Sequence, residues 1–519
     1  MAAGSPTFDT AVQYLDLDLE AILRPFRDQS VQVASIVAIG CHQIRADFGE
    51  HGEDVARIAA GNDVILLRLV VDTDSGLTIV VRLPMSPGEA GPGGGRIHTL
   101  DSLARQAREL SNGGSGEHLI LLPSRMLDEM IVPLATNFGF RAVVALSSQE
   151  AVQPNNGNAW KLQRTLFDHG LVGIGSVQIA GGEARCFLAS DAVRSLHRVG
   201  LGSRGQVTMS SLGTNGQFAN QLFQYAYVKL YALRHGLNAA IPAWQGNQYF
   251  GLDDPSPADV ALPELRFGPF TDNDRVLWDS DDPPINIDLW GYFQELPKCW
   301  QRHRPLLRRM FTLSTLHERA IDAWRYDATL GGQRTLVAVH VRRGDYRDRQ
   351  QLDLPWFRLV PEDWYLVWLR AIWPMLRDPL LYVATDEPDA ILPIFQEFAP
   401  ISATFGPTAR ALPDNIRDFE ILRRADYLAI CNSSFSRMAA ILAPSTQKCF
   451  CPSFNAKGFV PYEPWVDPGF WVRFTDAWRR PGLRMAPRIV AQSFKRALVG
   501  QRDTCRAAVR RLAKILLNT

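Results

Sequence analysis

Residues 335–348 read TLVAVHVRRGDYRD, and this stretch decides the fold of the C-terminal part of the chain. Its apolar, β-branched beginning predicts a buried strand. Strands and helices then alternate: PEDWYLVWLRAIWPML, AILPIFQEFA and SSFSRMAAILA have helical patterns, LLYVATD reads as a strand, and DFEILRRADYLAICN reads as a helix leading into a strand. Strands that alternate with helices predict an α/β fold with a parallel, doubly wound sheet.

The strand TLVAVHV ends among His340, Arg342, Arg343 and Asp345. Ligands of doubly wound folds bind where strands end at their carboxyl side, and adjacent arginines there are costly to bury unless an anion faces them. The guanidinium fork matches phosphate oxygens. Because neighbouring side chains of an extended segment point to opposite sides, one arginine can reach a diphosphate while the other braces the loop, for example against Asp345. A salt bridge without a ligand is the alternative interpretation.

The segment CNSSFSRMAAIL places small polar residues at a second strand end. The strand ends at Cys431, and Asn432, Ser433 and Ser434 precede a helix that begins near Phe435. A helix N-terminus with free N–H groups and nearby hydroxyls binds anions. An ordinary serine-capped helix is the alternative interpretation, so the segment matters through its position, two β-α units after the arginines.

Asp386 closes the strand LLYVATD, where its carboxylate can contact a ribose, a base or an acceptor hydroxyl. It can also cap the following helix, with Pro388 in the first turn, and both roles can hold at once. Upstream, GTNGQFANQLFQYAYVKLYALRHG is a tight loop leading into a helix over 218–235, with Gly236 as its C-cap. The loop is neither a dinucleotide fingerprint nor a Walker loop.

The composition is that of a globular protein of two to four folding units, because 519 residues exceed one ordinary core. The 55 basic and 54 acidic side chains nearly cancel, so charge indicates no nucleic-acid partner. We find no secretory start and no long apolar run, and the scattered cysteines indicate reduced thiols in a cytoplasm. Cys449 and Cys451 are expected to be core thiols and not zinc ligands.

Residues 1–200 are predicted to form a separate, mixed α/β accessory domain. VILLRLVVD and LTIVVRL read as a hairpin, while HLILLP, a helical MLDEMIVPLATNFG and FRAVVALS have a Rossmann-like β-α-β rhythm. A stretch rich in Gly, Ser and Thr then marks a boundary, after which we expect two halves, 205–334 and 335–480, and a tail, 481–519.

Five segments resemble, in family order, the α-1,2-fucosyltransferases. HVRRGDY resembles the motif H-x-R-R-x-D, GQFANQLFQYA resembles G-N-Q-L-F-Q-Y, IDLWGYFQ resembles G-Y-F-Q, and YVATDEP resembles the S/T-D-D/E element. The fifth, DFEILRRADYLAICNSSFSRMAA, is similar to the family's D-x-x-x-M-x-x-C-x-x-x-I-x-x-N-S-S-F-S-W-W-A-A. The resemblance implies a GT-B-like pair of Rossmann-type domains, with 205–334 as the acceptor-side half and 335–480 as the nucleotide-sugar half.

The reaction implied by the resemblance is inverting transfer of L-fucose from GDP-β-L-fucose to a hydroxyl, O2 of a hexose and often of galactose, without a metal or other cofactor. Arg342 would grip the β-phosphate. The sequence itself does not identify the base that takes the acceptor proton: Asp345 and Asp386 are both candidates, with Asp345 preferred, and the expected catalytic residues are Arg342, Asp345 and Asp386. The residues expected to bind the GDP-sugar are His340, Arg342, Arg343, Asp386, Asn432, Ser433, Ser434, Phe435, Asn220 and Gln221.

Two departures from the family pattern leave linkage and donor sugar open. The loop GTNGQFANQ is longer than the family's G-x-L-G-N-Q, and Arg437-Met438 replaces W-W. A transferase for another GDP-hexose and a nucleotide-sugar-binding module without turnover are the alternatives. In the N-terminal part, HTLDSL faintly resembles the end of FkbM-type methyltransferases, but the D-x-G-x-N-x-G loop is missing, which suggests a degenerate domain.

The tail after residue 480 is rich in Lys and Arg, with apolar residues at near-helical spacing. A basic amphipathic helix can lie on an anionic membrane, and packing against the protein is the alternative. We expect a cytoplasmic enzyme, and the first of these alternatives would allow peripheral contact at the inner membrane face. Its acceptor would be an oligosaccharide or glycolipid, a precursor of a surface polysaccharide or lipopolysaccharide.

Overall fold

The computed structural model describes residues 17–31, 33–39, 43–45, 58–59, 64–72, 76–82, 117–123, 140–148, 157–179, 182–196, 204–257, 261–267, 277–280, 282–350, 357–403 and 412–465. The chain divides into two compact units. The N-terminal unit comprises 1–207 and 229–239, and the C-terminal unit comprises 208–228 and 240–519. The predictions for HTLDSL, for the helix MLDEMIVPLATNFG and for the tail 481–519 lie outside the described residues.

The N-terminal unit is mixed α/β, as predicted. Its helices are α1 (Leu19–Asp28) and α2 (Gly157–Asp168). Its strands are β1 (Leu17–Asp18), β2 (Val33–Ile39), β3 (Gln43–Arg45), β4 (Ile58–Ala59), β5 (Val64–Asp72), β6 (Gly76–Arg82), β7 (Glu117–Pro123), β8 (Phe140–Ser148), β9 (Leu171–Ile179) and β10 (Gly182–Ala189).

Within the described residues these strands form a sheet of seven in the order β6-β5-β2-β7-β8-β10-β9 and a small sheet in the order β1-β3-β4. Strands β2, β7 and β8 are parallel, whereas β5 and β6 form the antiparallel hairpin predicted from VILLRLVVD and LTIVVRL. The centre of β8 is fully buried, since its apolar run has covered faces on both sides.

The chain after residue 205 alternates between short strands and helices. The strands are β11 (Gln206–Thr208), β12 (Asn238–Ala240), β13 (Glu264–Arg266), β14 (Ile287–Trp290), β15 (Leu336–Val341), β16 (Leu380–Thr385), β17 (Tyr427–Ala429), β18 (Lys448–Ser453) and β19 (Gly458–Pro461). The α-helices are α3 (Phe218–His235), α4 (Gln245–Phe250), α5 (Arg304–Met310), α6 (Thr315–Ala328), α7 (Gly344–Asp348), α8 (Glu362–Ile372), α9 (Pro388–Ile391), α10 (Asp414–Arg424) and α11 (Ser434–Leu442). Helix α3 begins and ends where the sequence predicted, and Gly236 follows it with the left-handed φ of +65° that a C-cap glycine adopts.

The C-terminal unit contains a sheet whose described strands run in the order β16-β15-β17-β18-β19. The first four are parallel and β19 is antiparallel, so the predicted parallel sheet is confirmed. Every residue of β15 is buried. Its side chains pack in a core with Tyr365 and Leu369 of α8 and with Phe395. The carboxyl ends of β15, β16 and β17 therefore lie side by side along one edge.

Three details differ from the sequence expectation. AILPIFQEFA is α-helical only in α9 and continues as a 3₁₀ helix over Leu392–Phe398, because Pro393 cannot donate an i−4 hydrogen bond. Likewise α8 gives way to a 3₁₀ turn, Trp373–Met375, at Pro374. Strand β17 ends at Ala429, before Cys431.

Cys449 and Cys451 lie on β18 as buried thiols. Among the helices of the described ranges, none combines the length and the apolar character needed to cross a bilayer.

Candidate active site

A cavity of about 1030 Å³ lies in the C-terminal unit where β15 and β16 end. Most of the residues expected at the site line it, and Arg343 and Asn432 do not. The predicted residues in the lining are Asn220, Gln221, His340, Arg342, Asp345, Asp386, Ser433, Ser434 and Phe435.

Arg342 is the cation at the end of β15, and it faces two carboxylates. Its Nη2 lies 2.6 Å from Asp345 Oδ1 and its Nη1 lies 3.1 Å from Asp386 Oδ2. Burial lowers the pKa of Arg342, but the charges of Asp386 and Asp345 outweigh that effect and leave the pKa raised. The guanidinium is therefore firmly charged, and its side chain is 21% exposed, so an anion in the cavity can reach it.

Arg343 is the arginine that braces the loop. Its Nε donates to Glu362 Oε1 at 2.8 Å, and its Nη2 donates to the Val360 carbonyl at 2.8 Å. The side chain is only 3% exposed. The division of labour between the two arginines follows the alternation along the strand, but the bracing carboxylate belongs to Glu362 in the first turn of α8 and not to Asp345.

Asp386 is held from two sides. Its Oδ1 accepts the backbone N–H of Arg343 at 2.8 Å, while Oδ2 pairs with Arg342. A Cβ added to Gly344 would lie 2.4 Å from Asp386 Oδ2, so only glycine permits this approach. The residue that caps α9 is Glu387 and not Asp386, although Pro388 takes the first turn as expected.

His340 contributes a neutral ring. Its Nδ1 lies 3.2 Å from Cys431 Sγ, and its ring centroid lies 5.2 Å from that of Phe435. Burial, followed by the charge of Arg342, lowers the pKa of His340 to about 3. The imidazole therefore offers hydrogen bonds near neutral pH and adds no positive charge for an anion.

The N-terminus of α11 opens on the cavity. Ser433 caps the helix by accepting the Phe435 N–H on its Oγ at 3.3 Å, and Ser434 lines the cavity in the first turn. Asn432 instead turns its amide away and donates to the Arg358 carbonyl at 2.6 Å. Ser433 therefore caps the helix, as in the interpretation of an ordinary serine-capped helix, while Ser434 stands at the cavity, where the anion-binding interpretation needs a hydroxyl.

Asn220 and Gln221 line the cavity at the start of α3. Gln221 Nε2 donates to the carbonyls of Gly213 and Gly216 at 3.2 and 3.1 Å, and its Oε1 accepts from Gln245 at 2.9 Å. These bonds use both ends of the Gln221 amide, so this side chain holds the glycine loop in shape. Asn220 is held differently, since its Oδ1 accepts from the side chain of another lining residue.

Several lining residues were not singled out from the sequence: Gln245, Tyr292, Gln294, Tyr346, Arg349, Phe357, Asp414, Asn415 and Asp418. Tyr292 and Gln294 fall in the segment IDLWGYFQ, and Asp418 is the first residue of DFEILRRADY, so the family pattern contained their signal. Burial raises the pKa of Asp418 to about 7, although a hydrogen bond from Tyr382 and the charge of Arg417 oppose the rise. A carboxyl that titrates near neutrality in a cavity is a feature of functional sites.

In the described ranges, no group of three or more His, Cys, Asp and Glu side chains is placed to hold a metal ion. A negatively charged ligand at the strand ends would face the guanidinium of Arg342 and the N-terminus of α11. A parallel α/β sheet with such a cavity at its carboxyl edge has the arrangement of an anion-binding α/β protein.

Two curated proteins are similar to about a third of the chain. Galactoside alpha-(1,2)-fucosyltransferase 1 of Bos taurus is 30% identical over 176 residues, which cover 31% of this chain and 47% of that protein. The Sus scrofa protein of the same name is 28% identical over 161 residues, 29% of this chain and 40% of that protein. The predicted resemblance to the α-1,2-fucosyltransferases is thereby confirmed, while the chain spans less than half the length of these relatives.

No family model matches the chain. A crystal structure of NodZ alpha-1,6-fucosyltransferase soaked with GDP-fucose aligns with 50% of this chain and 99% of its own, at 13% identity and a TM-score of 0.35. That score is too low to establish a shared fold.

Proposed function

We propose that this protein is a glycosyltransferase that moves L-fucose from GDP-β-L-fucose to a sugar hydroxyl with inversion. The observation that carries the proposal is Arg342, a charged, partly exposed guanidinium at a strand end in a cavity of about 1030 Å³. The similarity to galactoside α-(1,2)-fucosyltransferases supports fucose as the transferred sugar and a galactoside as the acceptor.

Arg342 and the N-terminus of α11 would together receive the diphosphate. A diphosphate carries more charge than either carboxylate that pairs with Arg342 in the structure, and it can accept both prongs of the guanidinium fork. The N–H groups and the Ser434 hydroxyl at the helix end add further donors. These groups stabilise the negative charge that develops on the departing GDP, which is the role a metal ion plays elsewhere.

The same contacts suggest how the base is made ready. When Arg342 turns to the diphosphate, Asp345 and Asp386 lose part of their pairing with it. Asp386 keeps the Arg343 backbone N–H, whereas Asp345 is the more exposed carboxylate, at 34% against 20%. We assign Asp345 as the base: it takes the proton of the acceptor hydroxyl, the acceptor oxygen bonds to C1 of fucose, and the bond from C1 to the phosphate oxygen breaks.

The finer elements of the proposal follow from the family resemblance. Residues 205–334 and 335–480 would be the two Rossmann-type halves of a GT-B fold, working without a metal in the cytoplasm on a surface-glycan precursor. Arg437, which stands where the family has tryptophan, does not line the cavity and donates to the Gln294 carbonyl at 2.7 Å. That departure therefore has no direct contact with the donor.

The longer glycine loop is the observation that favours the second candidate, a transferase for another GDP-hexose. Gly216 and Gln217 of this loop line the cavity, so its altered length changes the surface offered to the donor or the acceptor. GDP-mannose must therefore be compared directly with GDP-fucose.

A thermal-shift panel on the full chain tests the proposal, with GDP, UDP, ADP, CMP, GDP-fucose, GDP-mannose and S-adenosylhomocysteine as ligands. A ligand that binds the folded state raises Tm by mass action, and we expect shifts with GDP and GDP-fucose alone. A larger shift with GDP-mannose would select the second candidate. A shift with UDP or CMP but not GDP would refute both, and a shift with S-adenosylhomocysteine would point to a methyltransferase site instead.

Arg342→Ala then tests the phosphate grip. Each charge-assisted hydrogen bond contributes about 1.5–3 kcal/mol, so the loss of two should lower GDP affinity, measured by calorimetry, by at least about a hundredfold. Arg347→Ala is the matched control, because Arg347 is 58% exposed, pairs with Glu387 and does not line the cavity. Unchanged GDP affinity in folded Arg342→Ala would refute the assignment of this arginine.

A further inference from the structure

One side of the cavity is neutral throughout. We call it the amide wall, and it consists of the cavity-lining residues 216–221 with Gln245, Tyr292 and Gln294. None of these residues is charged, whereas the strand ends carry Arg342, Asp345 and Asp386. The amide wall offers a diphosphate no charged side chain, whereas its amides and its aromatic ring suit a neutral ligand with hydroxyl groups.

Gln294 is the best-fixed member of the amide wall. It is 6% exposed, and its backbone carbonyl accepts Arg437 Nη1 at 2.7 Å from a side chain that is itself 1% exposed. Its Nε2 donates to Asn220 Oδ1 at 2.7 Å. Its Oε1 is buried and has no hydrogen-bond partner in the described part of the chain. A buried acceptor left unpaired is unfavourable, and a hydrogen-bond donor on a ligand would remove that cost.

The bond between the two amides leaves one group of each kind available. With the Gln294 side chain donating and the Asn220 side chain accepting, the pair still offers the side-chain oxygen Oε1 of Gln294 and the NH₂ group of Asn220. If both amides were turned round, one acceptor and one NH₂ group would still remain. A sugar hydroxyl donates and accepts, and two neighbouring hydroxyls match an adjacent acceptor and donor.

The glycine loop brings this pair close to an aromatic ring. Gly216 has a left-handed φ of +77°, and a Cβ there would lie 2.7 Å from Asn220 Nδ2 and 3.0 Å from a ring carbon of Tyr292. The loop can therefore pass close to both side chains only with glycine at this position. An apolar ring beside paired amides offers a surface for the C–H face of a sugar while the amides take its hydroxyls.

We propose that the Asn220–Gln294 amide pair binds neighbouring hydroxyls of a neutral sugar, with Tyr292 beside it. The inference rests on the proposed function, because it divides the substrates between the two sides of the cavity. The nucleotide diphosphate takes the charged side, and a sugar takes the amide wall. That sugar is the fucosyl residue of the donor or the galactoside acceptor, and both present the same hydroxyl chemistry.

Gln294→Met tests the inference, because it keeps the length of the side chain and removes both polar atoms. Gln396→Met, on the exposed face of the 3₁₀ helix Leu392–Phe398, is the matched control. We expect the Kd of GDP to stay within about twofold of the wild type, since the nucleotide does not need the pair. Loss of one or two hydrogen bonds to a sugar predicts about a tenfold effect on one sugar ligand.

Two arms identify which sugar is bound. If GDP-fucose loses its affinity advantage over GDP in Gln294→Met, the pair binds the fucosyl residue. If instead the KM for lactose rises about tenfold while the KM for GDP-fucose is unchanged, the pair binds the acceptor. Equal weakening of GDP and GDP-fucose, or no change with either sugar, would overturn the inference.

The failure of the proposed function is recognised separately. A wild-type chain that binds no GDP would refute that function, and titration with L-fucose and lactose alone, in wild type and Gln294→Met, would then decide the amide pair. Asn220→Ala, at a half-buried position, serves if Gln294→Met does not fold.

Discussion

The two sides of the cavity are held together in different ways. On the charged side, Arg342 stands between Asp345 and Asp386, and Arg343 is buried against Glu362. On the amide wall, neutral side chains bind one another and the carbonyls of a glycine loop. The charged side keeps a cation in place between carboxylates, which a diphosphate would displace under the proposed function, whereas the amide wall fixes its shape without charged side chains.

The comparison predicts that the free energy of unfolding depends more on Arg343 of the charged side than on Gln221 of the amide wall. Arg343→Met removes a buried guanidinium and strands the Val360 carbonyl, while Glu362 is 37% exposed and can be hydrated, so the free energy of unfolding should fall by about 2–4 kcal/mol. Gln221→Met removes neutral hydrogen bonds, each with a net contribution near 1 kcal/mol, so a loss of about 1–3 kcal/mol is expected. Urea unfolding of both variants, followed by fluorescence, measures the difference.

The exposed pair Arg370–Glu397 provides the control for Arg343→Met. Arg370→Met should leave the free energy of unfolding close to that of the wild type, since exposed ion pairs contribute little. Equal losses in the free energy of unfolding for Gln221→Met and Arg343→Met would contradict the comparison. The charged side would then depend on Arg343 no more than the amide wall depends on Gln221.

The sequence predicted the elements that bear the site better than the partners within it. The apolar runs of β15 and β16 and the pattern of α3 are local signals, and each element appears at or near its predicted bounds. Alternation also indicated that Arg342 and Arg343 would point apart. Which of them faces the cavity depends on Glu362 and Val360, and no local rule relates those residues to the strand end.

Asp418, on a helix, is a second residue whose partners the sequence did not predict. It lies within α10, where an acidic residue is expected to face solvent, but it is half-buried and accepts a hydrogen bond from Tyr382 of β16. The amide pair is a similar case, because Asn220 and Gln294 are separated by more than seventy residues and meet through one hydrogen bond. Contacts that join distant segments are set by packing and not by periodicity.

Asp418 supplies a pH-dependent prediction for the charged side. Burial raises its pKa to about 7, from a value near 3.8 when exposed, so the folded state binds a proton that the unfolded state releases between these values. Stability from this group is therefore present at low pH, falls as pH rises from about 4 to 7, and is level above that. The Asp418→Asn variant should become more stable relative to the wild type as the pH rises through this window. The difference in the free energy of unfolding should reach on the order of 2 kcal/mol at pH 8, which is less than full burial would give because Asp418 keeps some exposure.

Urea unfolding of wild type and Asp418→Asn at several pH values measures that difference. Gln396→Met is the control, since Gln396 is exposed and carries no titratable group, so its difference from the wild type should be flat across the same range. A difference between Asp418→Asn and wild type that does not vary with pH would contradict the raised pKa.

The smallest expected effect concerns the close approach of Gly344 to Asp386. Gly344→Ala places a Cβ 2.4 Å from Asp386 Oδ2, so that carboxylate must move and its pairing with Arg342 must change. Under the proposed function a shift of Asp386 would misplace Arg342, and misplacement of a phosphate-binding group costs activity more than stability, so we expect kcat to fall about tenfold with Tm nearly unchanged. Gly458→Ala is the control, because the nearest atom to its added Cβ is 3.9 Å away. If Tm falls enough to explain the lost activity, Gly344 is needed for the stability of the charged side. If kcat is unchanged, Asp386 can shift freely and Arg342 does not need it in place.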